Sequence, residues 1–138
     1  MMVLKGFLRT DLADPFEIEI GPVFERNAGD NRRFAIVVDK RHVNMRGVLH
    51  GGMLMTFADL ALGQAVWDAT GRASVVTLSL QGQFLKSAYA GDVVEVLPQI
   101  VRKTRALIFA RGDFMVGSDV IFVATSIWKV LGQIETPL

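Results

Sequence analysis

Hydrophobic positions along this chain change their spacing twice. Residues 16 to 26, FEIEIGPVFER, alternate in part and break at Gly21-Pro22, and residues 33 to 39, RFAIVVD, read as a second strand. The segment between them, NAGDN at 27 to 31, is turn chemistry. The first 15 residues are expected as a short N-terminal helix or a loose segment. Residues 40 to 50 are polar and irregular and end in His50-Gly51-Gly52. Residues 53 to 67, MLMTFADLALGQAVW, are good helix formers and apolar almost all round. A helix apolar on every face is a buried one. Asp68-Ala69-Thr70-Gly71 closes it, with Gly71 able to take a left-handed conformation.

Four strand-like runs follow, roughly 74 to 86, 92 to 103, 105 to 116 and 119 to 131. Ala90-Gly91-Asp92, Lys103-Thr104 and Gly117-Ser118-Asp119 separate them, and such short turns predict antiparallel hairpins. In the first run, Val76, Leu78, Leu80 and Phe84 fall on one face, and Thr77, Ser79, Gln81 and Gln83 on the other. The last three runs are more continuously apolar, which predicts packing on both faces. The order predicts an α+β fold in which an antiparallel sheet of five to six strands wraps one long central helix. One helix leaves sheet surface uncovered, so a second subunit is expected against it.

Composition narrows the classes. A chain of 138 residues is expected to be one domain, 1–138, and its 51% hydrophobic content suits a packed core. A net charge of +1 argues against a dedicated nucleic-acid binder. The absence of cysteine excludes disulfides, thiolate metal sites and a cysteine nucleophile, and fits a reducing, cytoplasmic location. The start, MMVLKGFLRT, does not read as a signal peptide. The charge-poor stretch at 51 to 67 is near the lower limit for a membrane span and carries Thr56, Asp59 and Gln64, so a core helix is the better reading and no membrane partner is expected.

Asp59 is the only charged side chain between His50 and Asp68. A carboxylate in a desolvated helix is normally paired, neutralised or placed at a wet site, which makes it a candidate general base or nucleophile. The competing reading places it on a narrow exposed stripe. Gly51-Gly52 at a helix start permits close approach, and the free amides there favour negative charge of the kind a carbonyl acquires under attack. A turn that merely needs glycine would look the same. His42 and His50 flank Asn44. With no cysteine and no third histidine, a metal site is not expected. No G-x-S-x-G elbow and no phosphate-binding glycine loop occurs.

HVNMRGVLHGGMLMTFAD, residues 42 to 59, resembles the H-x-N-x-x-G-x-x-H-G-G…D motif of hotdog-fold acyl-CoA thioesterases of the PaaI (phenylacetate-pathway) type. VTLSLQGQFLKSAYAGD, residues 76 to 92, is similar to that family's strand ending in F-L-[RK]-x-A-x-x-G-D. The resemblance implies hydrolysis of acyl-CoA without a cofactor. It implies that Gly51 offers its amide to the thioester carbonyl, that Gly52 beside it binds substrate, and that Asn44 positions the substrate. His50 would support Asn44 or the thioester end, and Asp59 would act as general base or nucleophile. Thr77 would hold the attacking water. If Val76, Leu78 and Leu80 pack on the subunit's own helix, Thr77 faces the other way and reaches a site only across a subunit interface. The family shares its sites within a dimer, and a dimer of dimers is expected. Lys86, Arg46, Arg102 and Arg105 are candidates for the coenzyme A phosphates, Lys86 being carried as a binding residue, although each also reads as ordinary surface charge. Two departures stand out: Ser87 replaces the usual proline, and the Gly117-Ser118-Asp119 turn is short.

Two rivals remain. A non-catalytic acyl-CoA-binding or ligand-sensing domain needs the Gly51 amide but not the base. A hotdog dehydratase or hydratase pairs a histidine with an acid at different spacing.

Overall fold

The elements of the computed structural model, which describes residues 2–10 and 13–132, run β1 (Leu8–Arg9), α1 (Pro15–Ile20), β2 (Phe24–Ala28), β3 (Asn31–Val37), α2 (Gly51–Ala69), β4 (Val75–Phe84), β5 (Val93–Val96), β6 (Gln99–Lys103), β7 (Leu107–Val116) and β8 (Asp119–Val130). All strands join one antiparallel sheet in the order β1-β2-β3-β5-β7-β8-β4, with β6 pairing β7 beside β5. This is the expected sheet around a central helix, with more strands than expected. One arises because Pro98, which has no N–H to give to a ladder, divides the run at 92 to 103. Another is β1, which lies in the segment read as a short helix or loose chain; positions 1, 11 and 12 of that segment are outside the described residues.

Residues 15 to 20 overturn the strand expectation. Asp14 caps a helix there by accepting from the Glu17 amide at 2.8 Å, and Pro15 supplies the preset φ of a first turn. The six-residue helix stops at Gly21, where a Cβ would stand 2.6 Å from the Glu17 carbonyl oxygen. Glu17 is buried, and the Thr10 hydroxyl donates to its carboxylate. Burial pushes this carboxyl above its ordinary range, against the lowering effect of Thr10.

α2 buries one face rather than all of its circumference. Phe57, Ala58, Ala61, Leu62 and Val66 are inaccessible, packing into a core with Phe34, Ile36, Ile108, Phe114 and Phe122. Thr56, Asp59, Gln64 and Trp67 are only partly covered, because a curved sheet reaches around one side of a helix. The expectation that the last strands pack on both faces also fails within the chain: along β7, Ile108, Ala110 and Phe114 are buried, while Phe109 and Arg111 between them are half-buried. No helix among the described residues is long and apolar enough to cross a membrane.

The sharpest correction lies on β4. Its ladder with β8 shifts between Thr77, opposite Trp128, and Ser79, opposite Ile127, so Leu78 is an extra residue in a bulge. The bulge inverts the alternation. Val75 and Thr77 face α2 before it, and Leu80, Gly82 and Phe84 face inward after it. Val76 and Leu78, expected on the inner face, are 40% and 55% exposed. Gly82 is required where it sits, since a Cβ would meet the Phe122 ring at 2.2 Å and the Met55 sulfur at 2.9 Å.

Candidate active site

The loop before α2 is a small hairpin that fixes the helix start. Val43 bridges Leu49, the Asn44 amide donates to the Val48 carbonyl at 2.8 Å, and Gly47 takes φ 78° in the turn. Asn44 Oδ1 accepts from the amides of Arg46 at 2.9 Å and Val48 at 3.2 Å. Its acceptor is therefore spent on the turn, and its –NH2 group donates to no acceptor among the described residues. Val48 bridges Tyr89, and the Leu49 amide donates to the Ala88 carbonyl at 2.8 Å. The segment carrying Ser87 is held further by Asp92, which accepts from the Tyr89 amide at 2.8 Å, so this loop is pinned without a proline at 87.

His42 and His50 have different duties. His42 is buried, its Nδ1 accepting from the Asp39 amide at 3.1 Å and its Nε2 donating to the Ile20 carbonyl at 2.6 Å. That pattern assigns the neutral Nε2–H tautomer and a structural role tying the loop to α1. Neighbouring Asp39 is bonded by the Arg41 guanidinium, which holds its carboxyl below the ordinary range. His50 is the N-cap of α2, its Nδ1 accepting from the Gly52 amide at 2.8 Å. The cap satisfies Gly52 and leaves the amide of Gly51 without an acceptor among the described residues. The helix dipole adds positive potential at that orphan donor. The Phe84 ring lies over Gly51, within 3.2 Å of where a Cβ would be.

Asp59 lies two turns further along α2, half-buried, its Oδ1 accepting from the Thr77 hydroxyl at 2.7 Å. Thr77 therefore reaches Asp59 within its own chain, not across an interface; the bulge at Leu78 turns it inward. Asn44, His50 and Gly51 gather at one end of the helix, and Asp59 and Thr77 form a second cluster. Eight residues of helix separate Gly51 from Asp59, about 12 Å at 1.5 Å per residue.

Lys86 pairs with Asp119 at 2.7 Å, an exposed bond that raises its pKa. None of its hydrogen bonds among the described residues reaches the helix start. Arg46, Arg102 and Arg105 are exposed. Among the described residues no three His, Asp or Glu side chains converge to hold a metal. The contact of Phe84 with Gly51 escaped the sequence reading, which placed that ring only on a strand face with Val76, Leu78 and Leu80; its only signal is a large aromatic seven residues after Thr77.

Comparison with known proteins bears on the family and the fold. A family model described as Thioesterase superfamily matches residues 46–123, from the Asn44 turn through α2 into β8. A Pseudomonas aeruginosa protein described as a putative esterase is 28% identical over 132 residues, covering 94% of this chain and 98% of its own length. Among solved structures, a mutant phenylacetic acid degradation protein PaaI from Thermus thermophilus superposes with a TM-score of 0.77 at 25% identity, covering 86% of this chain and 100% of that one. The PaaI protein of the Escherichia coli phenylacetic acid degradation operon superposes at 0.79 with 16% identity over 89% of this chain and 88% of its own, a likeness of fold alone. The match across α2 and most of the sheet places this chain in the thioesterase superfamily, as a hotdog-fold member of the PaaI type.

Proposed function

We propose that this protein hydrolyses acyl-CoA thioesters to a carboxylic acid and free coenzyme A, using two half-sites contributed by two copies of the chain. Thioester hydrolysis is the chemistry of the superfamily. The observation that carries the finer reading is the division of labour along α2: a base with a hydroxyl beside it, and an orphan amide about 12 Å away. A carbonyl and its attacking water lie within roughly 3–3.5 Å of each other. One helix cannot serve both ends of that pair, whereas two copies can.

β4 supplies the means. Among the described residues it ends the sheet, with β8 on one side and a free edge on the other. It carries Thr77 beside Asp59 and Phe84 beside Gly51. Antiparallel pairing of two β4 edges about a two-fold axis near Leu80 and Gln81 sets Thr77 of each copy near Phe84 of the other. Asp59 then faces the Gly51 amide of the second copy. The exposed Val76, Leu78 and Leu85 are covered in the same step.

In the reaction, the free oxygen of the Asp59 carboxylate takes a proton from a water that also touches the Thr77 hydroxyl. The hydroxide adds to the thioester carbon, and the carbonyl oxygen becomes an oxyanion bonded to the opposing Gly51 amide. Collapse breaks the C–S bond, and the proton on Asp59 passes to the departing thiolate. The Asn44 –NH2 group is a second donor near the carbonyl. Substitution Asp59→Asn is expected to lower kcat about 10²- to 10⁴-fold, read as thiol release from an acyl-CoA panel, with the fold and oligomer unchanged. Full activity in that variant sinks the assignment, and coenzyme A ester binding without turnover by the native protein leaves a binding module instead.

A further inference from the structure

Asp59 also stands at the mouth of a groove. Between α2 and the start of β4 lies a shallow, open groove of about 320 Å³ running from Asp59 past Gly63 and Gln64 to Trp67, lined on its other side by Ser74, Val75 and Trp128. Gly63 lets the indole lie against the helix, since a Cβ there would stand 2.9 Å from Trp128 Cη2. Trp128 is fixed, donating through Nε1 to Ser126 Oγ at 2.8 Å, while the Ser126 hydroxyl donates to the Ala110 carbonyl at 3.0 Å. The far end is fixed as well. Arg72 adopts φ 67°, donates its amide to the Trp67 carbonyl at 2.8 Å and stacks its guanidinium 4.5 Å above the Trp67 ring.

We propose that this groove receives the acyl chain and that Trp67 is its length stop, making the preferred substrates straight-chain acyl thioesters of medium length. The inference rests on the thioesterase reading above. A thioester carbon placed for attack at Asp59 lies beside this space, which is open to one of its two arms. Among the described residues no Lys or Arg lines the groove itself, the Arg72 guanidinium standing at its far end against Trp67, while its indoles and Val75 suit an alkyl chain. Its length follows the helix from Asp59 to Trp67, eight residues or about 12 Å. An extended chain advances roughly 1.2 Å per bond, a third of the residue repeat, so the groove takes about ten bonds.

The test is kcat/KM across acetyl-, hexanoyl-, octanoyl-, decanoyl- and hexadecanoyl-CoA for the native protein, Ala73→Phe and Trp67→Ala, with melting curves on each. In the native protein kcat/KM should climb by up to about fourfold per methylene and stop climbing near ten carbons. Ala73 also lines the groove. Phenylalanine there should move the break to shorter chains and lower the ratio of decanoyl-CoA to acetyl-CoA kcat/KM by more than about tenfold. Trp67→Ala should move the break to longer chains, and it carries the test if Ala73→Phe does not fold. A flat native profile, or a break that neither variant moves, overturns the groove assignment while turnover itself upholds the thioesterase reading. Equal losses on acetyl-CoA and decanoyl-CoA place the coenzyme A arm in the groove and also overturn it. No turnover of any ester by the native protein sinks the parent reading and this inference with it.

Discussion

If the two ends of α2 belong to different sites, two inactive variants should restore each other. Asp59→Asn removes the base. For the other end, Gly51→Pro replaces the amide hydrogen with a ring carbon and so abolishes the donor, at the first helical position where proline is tolerated and its fixed φ is already helical. The residue before it is compatible, since His50 sits at φ −63°, ψ 134°, the extended region that proline requires of its neighbour. The added Cβ would come within 3.2 Å of the Phe84 ring, which is 57% exposed and free to yield. Gly51→Ala adds the same Cβ and keeps the amide, so it separates crowding from loss of the donor. Loss of one oxyanion donor costs about 10²- to 10³-fold in kcat, and Gly51→Ala should stay within a few-fold of native. When the two inactive chains are unfolded, mixed equally and refolded, about half the two-fold dimers are mixed. Each mixed dimer holds one site with both Asp59 and the Gly51 amide intact, so about a quarter of native activity should return. Thiol release from an acyl-CoA by the unfractionated mixture measures this, and mixed dimers isolated through two different tags should reach about a half of native activity. A mixture no more active than its parents refutes the shared site. Gly51→Pro as active as Gly51→Ala refutes the role of the amide.

Thr77→Val keeps shape and removes the hydroxyl that bonds Asp59 at 2.7 Å. A hydrogen bond to a charged group contributes about 1.5–3 kcal/mol, so kcat should fall roughly 10- to 100-fold and Thr77→Ser should recover most of it; unchanged kcat in the valine variant would remove Thr77 from the mechanism. Glu17 bears on stability instead. Its folded pKa is raised by burial, so from its ordinary value of 4.5 up to the raised value the native state holds more protons than the unfolded one. Stability should therefore fall as pH rises through that window and stay lower above it. Glu17→Gln keeps an acceptor for the Thr10 hydroxyl, should raise the melting temperature at neutral pH and should flatten that decline; a melting temperature that tracks the native protein at every pH would contradict the burial argument.

What the sequence made legible was what local chemistry decides. The central helix could be read because its composition, its glycine start and its close at Gly71 agree, and the segment from Asn44 to Asp59 is contiguous, so its residues could be grouped without knowing the sheet. Residues 16 to 20 misled because FEIEI alternates, while the cap at Asp14 and the first-turn proline prevail over alternation in so short a segment. Leu78 carries no mark at all. VVTLSLQGQF reads as unbroken alternation, with no glycine or proline at the point where the ladder shifts. Yet the bulge is what makes the strand useful. Thr77 and Phe84 have opposite parity, so a regular strand would turn one of them toward α2 and the other away. With one extra residue between them, both face the helix, Thr77 at Asp59 and Phe84 at Gly51. In the proposed dimer, a two-fold axis between those positions joins the ends of two half-sites only because an irregularity invisible in the alternation has placed both on the same face of one edge strand.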